Sequence, residues 1–194
     1  GTYPYVTSSN TTVGGVCTGL GVPPAAVEEV LAVVKAYTTR VGLGPFPTEM
    51  DEEFGEHVRQ IGNEFGATTG RPRRCGWLDV VGLRYAARIN GFTKIALSKM
   101  DVLDTLSTIK ICVGYRRNGQ DVDNFPAQLS ALAECEPVYE DMPGWESDTT
   151  KVRDYADLPT NARKYVQRVE ELLGAPVTLI SVGPERTESI VRTL

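Results

Sequence analysis

The sequence predicts an α/β fold in which a largely parallel sheet is flanked by helices. Apolar segments of strand length alternate along the chain with amphipathic segments of helix length, and Gly91 and Gly174 close two of the short joins between them. We also expect a small β-hairpin and an irregular insertion around residues 109–158. The chain has 194 residues, of which 41% are hydrophobic and 23% charged, so it can bury one sizeable core.

The first half begins with a segment, residues 1–22, that is rich in Gly, Thr and Ser and therefore predicted to be a loop. A helix is predicted to open at Pro23, because apolar residues follow at helical spacing up to Val34. The elements predicted next are a strand over 36–42, a turn-rich loop over 42–50, and a helix over 51–62 that carries His57, expected to be a surface residue.

The second half is predicted to begin with a helix over 77–90, which Gly91 ends. Asn118-Gly119 is the signature of a tight hairpin. The remaining predicted elements are a strand over 92–98, an irregular segment over 124–158, a helix over 160–173, a strand over 176–183 and a last strand within 187–194.

Composition argues against some partners. The formal net charge is −5, so neither nucleic acid nor an anionic membrane is the expected partner. The four cysteines have no metal-clip spacing, which favours reduced, mostly buried thiols in a cytoplasmic protein. The chain opens at Gly1 without a methionine, in residues that resemble packed structure, and we expect the protein to begin upstream.

Two strand exits carry polar residues where ligands bind in open α/β sheets. Lys99 and Asp101 follow the strand over 92–98. One carboxylate can accept both N1–H and N2–H of guanine, while a lysine stem on the same side of an extended segment can cover the base. Ser181 and the amides around Gly183 follow the strand over 176–183 and can meet the guanine O6. A K-x-D pair alone is more often a surface ion pair at a strand end, because the motif is short and common.

A third segment, GATTGRPRRCGWLD, combines hydroxyls, exposed amides and three arginines. Arginine binds carboxylate or phosphate with two parallel hydrogen bonds. Pro72 stiffens the segment, and the helix predicted to follow would turn its positive N-terminal end toward the same space. We expect an anion site here, although a solvated loop is the alternative.

Several long motifs, in order along the whole chain, resemble adenylosuccinate synthetase. They are GTYPYVTSSNTTVGGVCTG, KAYTTRVGLGPFPTE, GNEFGATTGRPRRCGWLD, SKMDVLD, MPGW and ISVGPERTE. The resemblance covers about the C-terminal half of that enzyme, and it implies the C-terminal part of a single P-loop-NTPase-like synthetase domain. The family joins IMP and L-aspartate with GTP and Mg²⁺, yielding adenylosuccinate, GDP and phosphate, and works as a homodimer.

The resemblance also implies roles for particular segments. Residues 1–22 would be a substrate loop, 66–76 the aspartate-binding loop, and 98–101 and 181–184 the guanine-binding loops. It assigns GTP binding to Arg73, Lys99, Met100, Asp101, Ser181, Val182 and Gly183; IMP binding to Thr7, Val41 and Arg71; and L-aspartate binding to Ala67, Thr68, Thr69, Gly70, Arg71, Pro72 and Arg73.

The family's phosphate loop, Gly-Asp-Glu-Gly-Lys-Gly-Lys, and its Gly-His pair do not occur in this sequence. They supply the general base, the Mg²⁺ ligand and the general acid. We therefore expect no catalytic or metal-binding residue in this chain, and an inactive protein if the chain stands alone. The alternative hypothesis is a non-catalytic guanine-nucleotide-binding α/β module.

Overall fold

A computed structural model describes residues 2–122 and 124–192. In these residues the helices are α1 (Gly14–Leu20), α2 (Glu52–Ile61), α3 (Val80–Asn90), α4 (Leu129–Ala133) and α5 (Thr160–Leu173). The strands are β1 (Leu31–Lys35), β2 (Thr38–Arg40), β3 (Arg74–Gly76), β4 (Leu78–Asp79), β5 (Lys94–Ser98), β6 (Thr108–Arg117), β7 (Gln120–Val122), β8 (Glu136–Pro143), β9 (Val177–Ser181) and β10 (Ser189–Val191).

The main sheet has the strand order β1-β5-β9-β10. The first three strands are parallel and β10 is antiparallel, which confirms the largely parallel sheet. β1 is a correction, because the sequence predicts a helix there. Ala32 and Val34 are buried while Leu31 and Val33 face outward, so the apolar residues serve a strand period of two rather than a helical one. The parallel pairing with β5 favours the strand over the helix at these residues.

A second sheet contains β4, β6, β7 and β8. Asn118 and Gly119 both have positive φ between β6 and β7, as the predicted tight hairpin requires. The irregular insertion was wrong in part, since β8 runs for eight residues antiparallel to β6 and α4 precedes it. Pro137 and Pro143 argue against a strand, but among the described residues β8 pairs only with β6. A proline whose missing N–H faces the unpaired side of such a strand costs no ladder hydrogen bond.

The helices α2, α3 and α5 confirm the three helices predicted over 51–62, 77–90 and 160–173, and Gly91 and Gly174 cap α3 and α5 with positive φ. The segment predicted as an N-terminal loop holds one short helix, α1. It is fixed to α3, because the N–H of Val13 donates to Asn90 Oδ1 at 2.8 Å.

The core lies between α5 and the main sheet. Tyr165 on α5 is buried and its hydroxyl donates to the Ala36 carbonyl, just beyond β1, at 2.7 Å. This bond ties the helix to the edge of the sheet where β1 ends. All four cysteines are free, and three of them are buried, as predicted. In the described part of the chain, no helix combines the length and apolar character that a membrane crossing requires.

Candidate functional site

The two strand exits singled out by the sequence lie side by side. β5 pairs in parallel with β9, with Leu97 opposite Ile180 near the ends of both strands. Segments 98–101 and 181–184 therefore leave the sheet at the same edge, where open α/β sheets bind ligands. This arrangement permits a shared pocket, as expected for two halves of one base-recognition site.

Asp101 carries the most unusual group at this edge. Its Oδ1 is buried and has no hydrogen-bond partner among the described residues. Burial raises the pKa of the Asp101 carboxyl, and the nearby carboxylates of Asp104 and Glu188 add to the rise. Buried carboxylate oxygens are normally paired. An unpaired carboxylate oxygen at the edge where open α/β sheets bind ligands makes Asp101 a candidate ligand-binding residue.

The backbone at this exit differs from the expected extended segment. Lys99 has a positive φ of 65°, and Met100–Leu103 form a turn of 3₁₀ helix. The Lys99 ammonium donates to the Gly62 carbonyl at 2.7 Å, and no ion pair joins Lys99 to Asp101 in residues 2–122 and 124–192. The alternative of a simple surface ion pair therefore does not describe this exit.

The exit of β9 forms a tight turn. Ser181 Oγ donates to the Gly183 carbonyl at 2.9 Å, and Glu188 closes the turn by accepting from the Glu185 N–H at 2.9 Å. The side chain of Val182 is buried, as is that of Met100 on the other exit. Both can contribute to a pocket only through their backbone groups.

Gly183 is packed so closely that even one methyl group should disturb the turn. A Cβ there would lie 2.3 Å from Glu188 Oε2 and 2.6 Å from its Cδ. We expect Gly183→Ala to displace Glu188 and lower the free energy of unfolding by about 1 kcal/mol, the cost of mild overpacking. Gly114→Ala is the matched control in denaturant unfolding, because the atom nearest to its Cβ, the Val138 Cβ, would lie at an ordinary contact distance of 3.9 Å. Equal free energies of unfolding for the two variants would contradict the close packing of this turn.

The arginine-containing segment forms a loop over residues 66–73, the arginine loop, whose two ends are held together. The Gly66 N–H donates to the Arg71 carbonyl at 2.8 Å, and Phe65 bridges Pro72. Residues 67–72 are exposed. The Arg71 side chain has no hydrogen-bond partner among the described residues, so its guanidinium is available to a ligand.

The surroundings of this loop differ from the prediction in one respect. The next helix, α3, begins only at Val80, after β3 and β4, and the Asp79 carboxylate occupies its N-terminal end by accepting from the Gly82 N–H at 3.1 Å. That end is therefore not offered to the anion site. Arg74 is also unavailable, since it pairs with both carboxylate oxygens of Glu49.

Glu64 lies next to this loop and is a candidate site residue that no sequence pattern singles out. Its side chain has no exposed surface, yet it accepts hydrogen bonds from Lys35, Tyr37 and Arg73. Burial would raise the pKa of the Glu64 carboxyl, but these three donors outweigh burial and hold the pKa below its usual value. In the sequence, Glu64 follows Gly62 and Asn63 and is expected to be a surface residue. Its partners become evident only in the folded chain.

Thr7 and Val41, the residues implied for IMP, are both exposed. The Tyr5 ring lies 5.8 Å from the Arg40 guanidinium, which brings the N-terminal segment beside the end of β2. Because β2 and β3 pair with Arg40 opposite Arg74, Val41 falls at the level of Arg73. The fold thus brings Val41 toward the base of the arginine loop, whereas no contact in the described residues places Thr7 there.

The described residues contain no group of three or more His, Cys, Asp or Glu side chains that could hold a metal ion. A cleft of about 480 Å³ lies elsewhere, between α3 and the β6–β7 hairpin, and is lined by residues that include Arg84, Tyr85 and Arg88. The residues implied for substrate binding do not line this cleft.

A family model and related sequences of known proteins agree on the family of this chain. A family model described as adenylosuccinate synthetase matches residues 1–190. The chain is 58% identical over 191 residues to the adenylosuccinate synthetase of Trichlorobacter lovleyi, covering 98% of this chain and 44% of that protein. It is 55% identical to that of Yarrowia lipolytica, covering 100% of this chain and 45% of that protein.

A solved structure is also similar. The fully ligated adenylosuccinate synthetase from Plasmodium falciparum matches with a TM-score of 0.96 and 45% identity, over 100% of this chain and 46% of that one. The chain therefore spans less than half the length of the relatives that it matches.

Proposed function

Because the chain belongs to the adenylosuccinate synthetase family, we propose that it is the C-terminal part of a GTP-dependent ligase that joins IMP and L-aspartate. The overall reaction yields adenylosuccinate, GDP and phosphate. GTP phosphorylates the purine 6-oxygen, and the aspartate amine then displaces that phosphate. This chain supplies the binding surfaces for the guanine base, for aspartate and for part of IMP.

The observation that carries the guanine-binding part of this proposal is the buried Oδ1 of Asp101, which has no hydrogen-bond partner in the described part of the chain. Guanine offers two adjacent donors, N1–H and the 2-amino group, and an ionised carboxylate accepts both. Adenine offers an acceptor at N1 and no amino group at C2, so it would leave the buried carboxylate unsatisfied. At the neighbouring exit, the Gly183 N–H would donate to the guanine O6, and Ser181 would do so once its hydroxyl turns away from the Gly183 carbonyl. The stem of Lys99 would cover the base.

The exposed loop over residues 67–72 is proposed to close over L-aspartate. The hydroxyls of Thr68 and Thr69 supply hydrogen-bond donors, and the guanidinium of Arg71 can bind a substrate carboxylate with two parallel hydrogen bonds. The Gly70 N–H already donates to the Gly66 carbonyl at 2.8 Å, so Gly70 contributes by shaping the turn of the loop. Ala67 would contribute through its backbone groups, and Pro72 would restrict the conformation of the loop. Arg71 also reaches IMP, which Thr7 and Val41 hold at the phosphate and the ribose.

We propose that the groups for phosphoryl transfer lie outside this chain. The Mg²⁺ ligands, the general base and the general acid would belong to the N-terminal part of the full-length protein. Mg²⁺ would there neutralise charge on the phosphates of GTP. The chain alone is then expected to be inactive.

The proposal extends to assembly and location. The full-length protein is proposed to act as a homodimer in the cytoplasm, with nucleic acid and membranes playing no part. The free thiols of all four cysteines support a reducing compartment. The formal charge of −5 is unfavourable for nucleic acid and anionic membranes.

The alternative is a non-catalytic guanine-nucleotide-binding module, which the orphaned Asp101 carboxylate would serve equally well. An assay of phosphate release by the full-length protein decides between them. The ligase releases phosphate only when IMP, L-aspartate, GTP and Mg²⁺ are all present. A protein that binds GTP but releases no phosphate in the complete mixture is the module instead.

A further inference from the structure

The buried Glu64 lies between two elements of the proposed site. Glu64 follows α2, and its Oε2 accepts from Arg73 Nη1 at 2.5 Å, while Oε1 accepts from Tyr37 at 2.7 Å. The Lys35 ammonium contacts both oxygens, at 2.8 and 2.9 Å. A carboxylate without exposed surface is tolerated only when it is paired in this way.

Arg73 is held at the base of the arginine loop by its main chain as well. Its N–H donates to the Glu64 carbonyl at 2.9 Å, and its own carbonyl accepts from Arg59 Nε at 2.7 Å. The Nε and Nη2 groups of Arg73 have no partner in residues 2–122 and 124–192. With 29% of the side chain exposed, these donors can reach a ligand.

The three charged side chains that meet here, those of Lys35, Glu64 and Arg73, carry a net positive charge. Lys35 and Arg73 carry two positive charges, and Glu64 carries one negative charge. One positive charge therefore remains beside the carboxyl ends of β1 and β5, where an anionic group of the nucleotide would be stabilised.

The same short segment also holds the guanine side of the site. The Gly62 carbonyl accepts from Lys99 at 2.7 Å, two residues before Glu64. A Cβ at Gly62 would lie 2.4 Å from the Tyr37 hydroxyl, so the segment packs directly on a partner of Glu64. Residues 62–64 thus connect one residue of the base-recognition exit with one residue of the arginine loop.

We infer that Glu64 is a positioning residue, which fixes the guanidinium of Arg73 so that its free donors face an anionic group of the bound GTP. This inference rests on the proposed function, in which Arg73 reaches GTP. It adds a residue that contacts no substrate and acts only through Arg73.

A double-mutant cycle on the full-length protein tests this inference. Glu64→Gln keeps the size of the side chain but removes its charge, and should raise the KM for GTP about tenfold to 100-fold, because a misplaced binding group loses much of its effect. Arg73→Ala should raise this KM similarly, and the double variant should be no worse than Arg73→Ala alone. Glu49→Gln, which disrupts the neighbouring pair with Arg74, is the matched control and should leave the KM unchanged.

The outcomes separate the inference from the proposed function. If Arg73→Ala leaves the KM for GTP unchanged, the assignment of Arg73 in the proposed function is wrong, and the inference fails with it. If Arg73→Ala raises the KM but the effect of Glu64→Gln adds to it in full, Glu64 has a structural role only, and the inference alone is overturned.

Denaturant unfolding establishes that each variant is folded. Should Glu64→Gln not fold, Glu64→Asp keeps the charge and shortens the arm by one methylene, so it should still raise the KM for GTP when Arg73 is present and have no effect when Arg73 is alanine. Equal effects of Glu64→Asp in the two backgrounds would overturn the inference.

Discussion

Replacing Asp101 with asparagine should raise the KM for GTP of the full-length protein about 30-fold to 140-fold, since losing a charge-assisted contact to both guanine donors costs about 2–3 kcal/mol. The KM for L-aspartate should stay almost unchanged, because Asp101 lies at the exit of β5 and not in the arginine loop. Steady-state kinetics with each substrate varied in turn measure both values.

The same variant should alter base preference in a predictable way. Xanthosine triphosphate has a carbonyl at C2, to which an asparagine amide can donate while its oxygen accepts N1–H. Asp101→Asn should therefore use this nucleotide better than the wild type does. A variant that keeps the wild-type KM for GTP, or shows no gain with the xanthine nucleotide, contradicts the assignment.

A pH series adds an independent readout for Asp101. Burial raises the pKa of its carboxyl, and only the ionised form accepts both guanine donors. The KM for GTP should thus rise as the pH falls through that raised pKa, and this acid limb should be missing in Asp101→Asn.

Replacing Arg71 with leucine should raise the KM for L-aspartate about 100-fold, or about 3 kcal/mol, because a bidentate contact between a guanidinium and a carboxylate is among the strongest hydrogen-bonded pairs. The free energy of unfolding should change by less than about 0.5 kcal/mol, since Arg71 is exposed and its side chain has no partner among the described residues.

Arg116→Leu provides the control for the loss of one surface charge. Arg116 lies on the β6–β7 hairpin and pairs only with the exposed Asp121 among the described residues. It should leave the KM for L-aspartate unchanged. An Arg71 variant with the same constant for aspartate as this control refutes a role for Arg71 in binding that substrate.

The sequence was most informative where polar residues directly follow an apolar strand. Lys99 and Asp101 follow an apolar strand, and Ser181 and Gly183 follow another, so a common edge could be predicted from the parallel α/β pattern alone. The backbone at Lys99 could not be predicted, because a positive φ at a lysine leaves no mark in the pattern.

Periodicity failed where two periods fit the same residues. Leu31 and Val34 have the spacing of one helix face, whereas Ala32 and Val34 have the spacing of two residues that buries one face of a strand. Only the pairing of β1 with β5 shows which of the two forms. β8 was missed for a related reason: Pro137 and Pro143 argue against a central strand, but they are tolerated in a strand with one free edge.

Glu64 shows the limit of reading a site from local sequence. Its partners Lys35 and Tyr37 lie 29 and 27 residues away along the chain. Nothing in the residues around Glu64 signals burial, and the pairing exists only once β1 and the arginine loop come together. Arg73, by contrast, could be identified as an anion-binding candidate from its neighbours in the motif.

The central claim is that the exits of β5 and β9 form a pocket for guanine. Titration of the full-length protein with GTP and with ATP, under the same conditions, tests this most directly. We predict that GTP binds at least about 100-fold more tightly, because adenine would leave the buried Asp101 carboxylate without its donors. Equal affinity for the two nucleotides, or binding of neither, would contradict the guanine pocket.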